Sequence, residues 1–270
     1  MDFNIKLSNG QVLRGMIQSP GDNLKAVIVF VPGIGEHIHR YDHLAKMFNR
    51  EGIGFAGVDL PGHGRSDGRR GNIKSFALLR EMIDILLKSC NKTFSGIPFY
   101  ISGQSLGGSI VLDYLLLRNP KVKGAIVLSP WLRLSFEPPK IKLIMASVLK
   151  HLLPGLTLDT GLNVIHLSHD ETVVENYKTD PLVHGKASLS LFHGAMDAAK
   201  HSLEHASELK VPTLILHGSD DLINSPEGSR EFAAKTDKAV LKIWEGGYHE
   251  LHNELFKDEV FKYIIGWINK

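Results

Sequence analysis

The chain contains the run Phe99-Tyr-Ile-Ser-Gly-Gln-Ser-Leu-Gly-Gly108, which passes from an apolar strand-like segment into G-x-S-x-G and then into a helical pattern. A serine at the tip of such a tight strand-to-helix turn has a strained backbone, which sets its hydroxyl clear of the sheet. Gly103 and Gly107 suit this turn because a Cβ at either position would collide with it. Ser105 also precedes a helix N-terminus, whose N–H groups favour developing negative charge. The run therefore predicts a nucleophilic Ser105; the alternative is a chance match in a glycine-containing turn.

Strands and helices alternate along most of the chain. The continuous apolar run 26–31 is typical of a strand buried on both faces. An antiparallel hairpin is expected to open the chain, because two strand-like segments flank Asn9-Gly10. This alternation predicts an α/β fold with a mostly parallel sheet and crossover helices. The predicted strands are 3–7, 12–17, 26–31, 53–58, 99–101, 125–128, 213–216 and 240–244, and the predicted helices, besides the one after Ser105, are 41–48, 75–88, 189–209 and 255–267.

The alternation breaks after Ser129-Pro130. From 131 to 190 there is no signal for a buried strand, and Pro138-Pro139 and Pro154-Gly155 interrupt a mixed polar and apolar sequence. An insertion over the sheet explains this break, and ligand sites of open α/β sheets lie beyond the carboxyl ends of the strands, where such insertions sit. We therefore expect an α/β core built from 1–130 and 191–270, with 131–190 as an inserted helical cap.

The composition is that of an ordinary globular chain. Of its 270 residues, 43% are hydrophobic and 22% are charged, which is enough for a sizeable core. The formal net charge of +2 is too small to favour nucleic-acid binding. The single cysteine, Cys90, excludes an internal disulfide and fits a reducing compartment. Since no signal-peptide pattern follows Met1 and no run has the length of a transmembrane helix, we expect a cytoplasmic protein.

A nucleophilic serine needs a general base, and the base needs a carboxylate that orients it. His249 is the candidate base, because it follows the last predicted strand across the loop 245–248, from which its side chain can turn back over the sheet. Asp220 and Asp221 are the candidate acids, because they follow the strand 213–216 and stand between the serine and the histidine in the chain. These patterns leave the choice between the two aspartates open.

Acyl transfer also needs two N–H donors for the oxyanion of its intermediate. Leu106, directly after the serine, supplies one of them. The second is expected from Ile34, because Gly33 and Gly35 on either side let its N–H turn towards the site. A plain tight turn is the alternative interpretation of this loop.

With these pieces in place, the chain resembles the monoacylglycerol lipase and lysophospholipase branch of the α/β-hydrolases. The matching stretches follow the family's order across nearly the whole chain. The resemblance implies the α/β-hydrolase fold, with a mostly parallel eight-stranded sheet, helices on both faces and an apolar cap. The stretches are 33–37 (GIGEH) with Arg40-Tyr41, 59–66 (DLPGHGRS), 103–108 (GQSLGG), 218–221 (GSDD) and 248–252 (YHELH).

The resemblance also implies roles for individual residues. It places the acid three residues after the glycine of 218–221, which selects Asp221, and it assigns the oxyanion N–H groups to Ile34 and Leu106. A solvated position in a helical first turn is the alternative for His252. The polar cluster that the resemblance implies near the glycerol end of the substrate consists of Glu36, Arg40 and His252.

Two positions depart from the family's pattern. Pro32 stands where the family usually has histidine, and proline lacks an N–H, although not the one required at position 34. Gln104 stands where the family often has a histidine before the nucleophile.

We therefore expect a serine hydrolase that cleaves carboxylic esters of single-chain lipids, above all monoacylglycerol to fatty acid and glycerol. Its partner is then a small-molecule lipid ester, with no nucleic acid, cofactor or metal, and the sequence sets no oligomeric state. A lysophospholipase or a general small-ester carboxylesterase is the first alternative. A serine peptidase or an acyltransferase on the same fold is the second, and a non-enzymatic protein that binds a small apolar ligand is the third.

The predicted cap carries the substrate prediction. Its apolar residues between 141 and 167 fall on more than one side of a helical pattern. In one interpretation the second apolar face packs within the cap. In the other, one face, including Ile144 and Val148, lines an acyl tunnel, while another face rests on a lipid surface and brings a cytoplasmic protein to the membrane periphery.

Overall fold

The computed structural model describes residues 2–136 and 152–270. Within these ranges the strands are β1 (Asp2–Lys6), β2 (Val12–Gln18), β3 (Ala26–Val31), β4 (Ile53–Val58), β5 (Phe99–Gln104), β6 (Gly124–Leu128), β7 (Thr157–Asp159), β8 (Lys186–Ser188), β9 (Thr213–Gly218) and β10 (Ala239–Trp244). Eight of them form one sheet in the order β1-β2-β4-β3-β5-β6-β9-β10. Neighbouring strands are parallel from β4 to β10, whereas β2 is antiparallel to both of its neighbours, which confirms the opening hairpin and the mostly parallel sheet.

Helices cover both faces of this sheet. The described helices are α1 (Asp42–Arg50), α2 (Phe76–Thr93), α3 (Leu106–Arg118), α4 (Glu171–Thr179), α5 (Leu189–Glu204), α6 (Pro226–Ala233) and α7 (Lys257–Ile268). Because side chains alternate along a strand, β3 directs Val27 and Val29 to one face and Ile28 and Phe30 to the other. The first face packs against α2, α3 and α5, and the second packs against α1 and α7. The α/β-hydrolase fold expected from the sequence is therefore confirmed.

Two helices differ in length from their predictions. Helix α2 begins after Ser75, whose hydroxyl accepts the N–H of Ala77, and it runs to Thr93 where the pattern predicted an end at 88. The helix predicted over 189–209 is shorter, because His205 leaves the helical conformation and a separate 3-10 turn, Ala206–Glu208, follows. No helix within the described ranges is long and apolar enough to span a membrane.

The described part of the predicted cap lies between β6 and α5 in the chain. Strands β7 and β8 pair antiparallel as a separate small sheet, and α4 lies between them in sequence. These three-residue strands are too short to produce a periodic pattern, which is why the sequence carried no signal for them. The candidate substrate contacts Ile144 and Val148 lie outside the described residues. The division of the chain at 130 and 190 stays a prediction.

The sheet brings three distant parts of the chain to one edge. Ser105 follows β5, Asp221 comes shortly after β9, and His249 follows β10 across a short loop. Since β5, β6, β9 and β10 are consecutive parallel neighbours, their carboxyl ends meet at the same edge of the sheet. This is the position at which ligand sites form in open α/β sheets.

Candidate active site

The turn between β5 and α3 holds Ser105 in a backbone conformation that L residues rarely adopt, with φ 56° and ψ −118°. Both flanking glycines are required by space, since a Cβ on Gly103 or on Gly107 would overlap a backbone carbonyl. The N–H of Ser105 donates to the carbonyl of Leu128 at 2.9 Å, and its carbonyl accepts the N–H of Trp131 at 3.1 Å. These two hydrogen bonds hold the strained residue at the head of the helix.

The structure places His249 beside Asp221. Nδ1 of His249 lies 2.8 Å from Oδ2 of Asp221, so the ring N–H donates to the carboxylate and Nε2 is left as the basic nitrogen. The loops that carry the two residues come close because Gly218 has no side chain; a Cβ there would overlap the carbonyl of Gly247. The N–H of Asp220 donates to that same carbonyl at 3.0 Å, which ties the loops together.

The two candidate acids differ in their exposure to solvent. Asp220 is exposed and accepts a hydrogen bond from its neighbour Ser219. Asp221 is only 2% exposed, and its Oδ1 accepts the backbone N–H groups of Ile223 and Asn224, each at 2.9 Å. The geometry therefore joins Asp221, and not Asp220, to the candidate base.

A second histidine, His217, donates a hydrogen bond to the carboxylate of Asp221. His217 is completely buried, and its Nε2 lies 3.1 Å from Oδ2 of Asp221 and 3.0 Å from the carbonyl oxygen of Asn224. Both of these oxygens can only accept, so Nε2 carries the proton and donates. Burial alone would raise the pKa of Asp221, but the charge of His249 and the hydrogen bonds from both histidines hold it well below its usual value. Burial in turn opposes the charged form of His249, yet the Asp221 carboxylate raises the pKa of His249 above its ordinary value.

The two predicted oxyanion residues flank Ser105. Leu106 is the first residue of α3, and Ile34 lines the same cavity as Ser105. The loop of Ile34 is tied down by Gly35, which has φ 76° and whose carbonyl accepts the N–H of His184 at 3.0 Å. Within the described ranges, neither the N–H of Ile34 nor that of Leu106 donates to another backbone carbonyl.

Glu36, Arg40 and His252 gather in a buried polar cluster around Tyr41 and Glu250. Arg40 donates two hydrogen bonds to the Glu250 carboxylate, at 2.8 and 2.9 Å, and the Tyr41 hydroxyl donates to Glu36 at 2.7 Å. His252 is 3% exposed and stacks on the Tyr41 ring, so the solvated alternative for His252 is wrong. None of the three is among the described residues that line the cavity beside Ser105, and their contact with a glycerol group stays a prediction.

The buried polar cluster has unusual electrostatics. Burial and the negative charge of Glu250 raise the pKa of Glu36 to about 7, although Arg40 and Tyr41 act in the opposite direction. Burial also holds the pKa of His252 well below its ordinary value. Glu250 directly follows His249 in the chain, so the cluster and the candidate base share one loop.

Gln104, the departure from the family's usual histidine, packs against Gly33 in the loop that carries Ile34. It is completely buried, and neither atom of its amide has a hydrogen-bond partner among the described residues. A Cβ on Gly33 would fall 2.6 Å from its Oε1, so the absence of a side chain at Gly33 leaves room for the amide.

An apolar cavity of about 350 Å³ lies beside Ser105. Its walls come from the core and from the described part of the predicted cap. Cavities of this size with an apolar lining and few polar groups are typical of small-ligand sites. The apolar side chains that line it include Ile34, Trp131, Leu134, Leu158, Leu189 and Phe192.

Comparison with known proteins places this site in a family. A family profile described as serine aminopeptidase, S33 (Hydrolase_4) matches residues 22–255. The chain belongs to this family. The human monoglyceride lipase is 32% identical to this hydrolase over 97% of the chain and 88% of the human protein. An abhydrolase domain-containing protein from Dictyostelium discoideum is 32% identical over 99% of the chain, which spans 29% of that longer protein.

Solved structures similar to this hydrolase also include a monoacylglycerol lipase. The crystal structure of a monoacylglycerol lipase from Paleococcus ferrophilus is similar to this hydrolase with a TM-score of 0.85 and 32% identity. The match covers 94% of this chain and 97% of that one. The fold and the family show that this hydrolase is an enzyme that cleaves carboxylic esters, and they confirm the resemblance inferred from its motifs.

Sequence reasoning missed two residues that the structure places at the site. Asn224 stands three residues after Asp221, and Glu250 directly follows His249, but each resembles an ordinary polar residue in a turn. The only signal in the sequence was their proximity to Asp221 and His249. Their burial and hydrogen bonds depend on neighbouring strands and loops, which local patterns do not describe.

Proposed function

We propose that this enzyme hydrolyses esters of single-chain lipids, with monoacylglycerols as its main substrates, through Ser105, His249 and Asp221. The observation that carries the proposal is the buried His249–Asp221 hydrogen bond at the sheet edge where Ser105 opens onto an apolar cavity. The named relatives support the coarser assignment to a lipid ester hydrolase, since they include monoglyceride lipases and a Bacillus subtilis phospholipase.

The reaction proceeds through an acyl-enzyme. Ser105 Oγ attacks the ester carbonyl carbon while His249 Nε2 takes the hydroxyl proton. His249 then delivers that proton to the departing alcohol oxygen, and Asp221 stabilises the imidazolium that forms in between. A water molecule, deprotonated by His249, attacks the acyl-enzyme and releases the fatty acid and the serine hydroxyl. The pKa of Asp221, held well below its usual value, supports this assignment because it keeps the carboxylate ionised throughout.

The oxyanion of each intermediate is bound by the N–H groups of Ile34 and Leu106. Both residues stand beside Ser105, and within the described ranges neither N–H is engaged by a backbone carbonyl. Removal of one oxyanion donor typically costs about 10²- to 10³-fold in kcat. Since both donors are backbone groups, the hydrogen bond from His184 to the carbonyl of Gly35 is the contact that positions the first of them.

The cavity supplies the preference for an acyl chain. Its mainly apolar walls gain free energy for every methylene that leaves water, about 0.8 kcal/mol each. We assign 131–190 as the cap that covers this cavity, because β7, β8 and the start of α5 contribute Leu158, Ala187 and Leu189 to the lining.

The described part of the predicted cap also exposes apolar side chains. Leu152 is 73% exposed, Leu153 53% and Ile165 53%. Exposed apolar side chains on one part of a protein favour contact with a lipid surface. In a vesicle sedimentation assay with phosphatidylcholine, the double variant Leu152→Ser/Leu153→Ser is expected to bind less. Exposed Leu255, distant in sequence, is the matched control: equal loss with Leu255→Ser would mean that the cap is not the contact.

Hydrolysis of a substrate panel by the purified protein tests the proposed function. The panel contains monoacylglycerols of graded chain length, lysophospholipids, p-nitrophenyl acetate and an aminoacyl amide. The proposal expects the highest kcat/KM for a monoacylglycerol; the highest value for the lysophospholipid, the acetate or the amide would assign one of the alternatives instead. Transfer to added alcohol in place of water would indicate an acyltransferase.

Variants identify the nucleophile. Ser105→Ala is expected to lower kcat by about 10³-fold or more, because the members of a triad act as a unit. The wild-type protein is expected to be labelled by a fluorophosphonate, whereas a protein that only binds apolar ligands would not be. Ser105→Ala is expected to abolish this labelling. The matched control is Ser109→Ala, which changes a buried serine on the first turn of α3 and is expected to keep both the wild-type kcat and the labelling. Most of the esterase activity surviving in Ser105→Ala would disprove the assignment.

A further inference from the structure

Asn224 is a buried side chain beside the nucleophile to which the mechanism above gives no role. It is 1% exposed and lines the same cavity as Ser105. Its backbone is fixed on both sides: its N–H donates to Oδ1 of Asp221 at 2.9 Å, and its carbonyl accepts Nε2–H of His217 at 3.0 Å. An isolated antiparallel β-bridge to Leu134 further constrains the backbone of Asn224. The side chain therefore starts from a backbone position set by the acid itself.

The amide of Asn224 points at two oxygens. Its Nδ2 lies 2.9 Å from the carbonyl oxygen of Ser129 and 3.4 Å from Oγ of Ser105. A carbonyl oxygen can only accept, so the NH₂ group of the amide, and not its oxygen, faces Ser129. One proton of that group is used by Ser129, and the second is directed to Ser105 Oγ.

The backbone of Ser129 is strained at this contact. Ser129 has φ 42°, in the left-handed region that non-glycine residues seldom occupy, and its N–H donates to the carbonyl of Leu216 at 2.8 Å. Strain of this kind persists where the surroundings enforce it, and it concentrates at functional sites. Here it presents a carbonyl to Nδ2 of Asn224, and that hydrogen bond sets the rotation of the amide.

From this geometry we propose that the Asn224 amide positions the Ser105 hydroxyl for catalysis by donating a hydrogen bond to Oγ. The inference rests on the proposed function, in which Ser105 is the nucleophile. A serine hydroxyl has one proton and two lone pairs and rotates freely unless it is held. With one lone pair occupied by Nδ2–H, the proton is directed to His249 and the other lone pair is left for the carbonyl carbon. The separation of 3.4 Å is long for such a bond, as is common before substrate is bound, and it shortens as charge develops on Oγ.

Asn224 gains and loses no proton in this scheme. In acylation the Oγ–H bond breaks, its proton moves to His249, and Oγ forms the bond to the acyl carbon as the carbonyl electron pair moves onto oxygen. In deacylation the bond from the acyl carbon to Oγ breaks, the electron pair returns to Oγ, and His249 returns a proton to it. Oγ carries partial negative charge in both steps, so a donor at Oγ accelerates both of them.

The test compares Asn224→Leu and Asn224→Ala with the wild-type enzyme. Leucine has nearly the shape of asparagine without its donor, and alanine adds no bulk if leucine prevents folding. Hydrogen bonds to charged groups imply that kcat falls about 10- to 100-fold, with KM changed much less. The second-order rate of fluorophosphonate labelling is expected to fall by a similar factor, and the burst and steady-state phases with p-nitrophenyl acetate are both expected to slow.

A control separates positioning from a general loss of structure. Ser109→Ala removes a completely buried hydroxyl on the first turn of α3 that has no hydrogen-bond partner among the described residues. The Nδ1 proton signal of His249 in NMR reports whether the His249–Asp221 pair is intact. The inference expects this signal to persist in the Asn224 variants while kcat falls, and it expects Ser109→Ala to stay close to the wild-type kcat.

Different results would overturn the role of Asn224 and the proposed function. Wild-type kcat and labelling rates in a folded Asn224 variant would overturn the inference, and so would an equal loss in Ser109→Ala or loss of the His249 signal in both Asn224 variants. Retained turnover in Ser105→Ala would instead overturn the proposed function. Inactive Ser105→Ala with fully active Asn224 variants would leave the nucleophile assigned and reject the role of Asn224.

Discussion

Replacing Glu36 with glutamine is expected to change how the free energy of unfolding depends on pH. Glu36 is 4% exposed and accepts the Tyr41 hydroxyl at 2.7 Å. Its nearest cation, Arg40, is committed to the Glu250 carboxylate through two short hydrogen bonds and comes no closer to Glu36 than 3.4 Å. One arginine thus stands between two buried carboxylates. This arrangement raises the pKa of Glu36 to about 7, mainly by burial and then by the charge of Glu250.

The sign of the effect follows from proton binding. Between the ordinary glutamate pKa of 4.5 and the raised value of about 7, the folded state holds a proton that the unfolded state releases. Raising the pH across this window therefore removes stability, and above it the folded state contains a buried, ionised Glu36. With these two pKa values, linkage gives a loss of about 2 kcal/mol in the free energy of unfolding between ~pH 5.5 and ~pH 8. Glutamine keeps the size and the acceptor for Tyr41 but has no proton to release, so Glu36→Gln escapes this loss.

Urea unfolding of both proteins at the two pH values measures the effect. The difference in the free energy of unfolding, Glu36→Gln minus wild type, is expected to increase by about 2 kcal/mol from the lower to the higher pH. Comparing the two proteins cancels the contributions of the titrating groups that do not interact with Glu36. Exposed Glu245 is the matched control, and Glu245→Gln is expected to show little change in this difference. A difference for Glu36→Gln that is independent of pH, or that decreases as pH rises, would refute the reasoning.

Three further predictions concern catalysis. Asp221→Asn is expected to lower kcat by about 10²- to 10⁴-fold, because an amide favours the wrong histidine tautomer; Asp220→Asn is expected to stay near the wild-type kcat, and the reverse ranking would mean that the acid is misassigned. Since Asp221 raises the pKa of His249, kcat/KM for a soluble ester should increase with pH around a midpoint above the ordinary histidine value of about 6.5; a flat profile from acid to alkaline pH with chemistry rate-limiting would contradict a histidine base. For monoesters below their micelle concentration, kcat/KM should increase up to about fourfold per added methylene until the cavity is full, whereas equal values for short and long chains would refute an acyl tunnel.

The tight turn at Ser105 was predictable from local sequence. Strand, G-x-S-x-G and helix follow one another in the chain, and each acts on its neighbours: Gly103 and Gly107 remove the Cβ atoms that would overlap the turn, so that Ser105 can take φ 56°. The buried strands were predictable for the same reason, since the apolar run 26–31 matches β3 residue for residue. His249 and the pair of aspartates were found because they follow strands at the expected places in the chain order.

The choice between the two aspartates was not available from the residues themselves. Asp220 and Asp221 are adjacent and chemically identical, and only the fold shows one exposed and the other buried against His249. The resemblance to a family favoured Asp221, but it did so by position and not by a physical property of the sequence.

The remaining features depend on pairs that lie far apart in the chain. Arg40 meets Glu250 and Asn224 meets Ser105 because the sheet places β3, β5, β6, β9 and β10 side by side, although other elements lie between these strands in the sequence. Periodicity reports whether a segment is a strand and which of its faces is buried, but it carries no information about which strand lies beside it. Burial, pKa shifts and the direction of a hydroxyl all depend on those neighbours, since a charge or a donor acts only over a few ångströms in space. The tight turn that presents Ser105 could therefore be predicted from the chain, whereas its surroundings depend on the packing of the sheet and its loops.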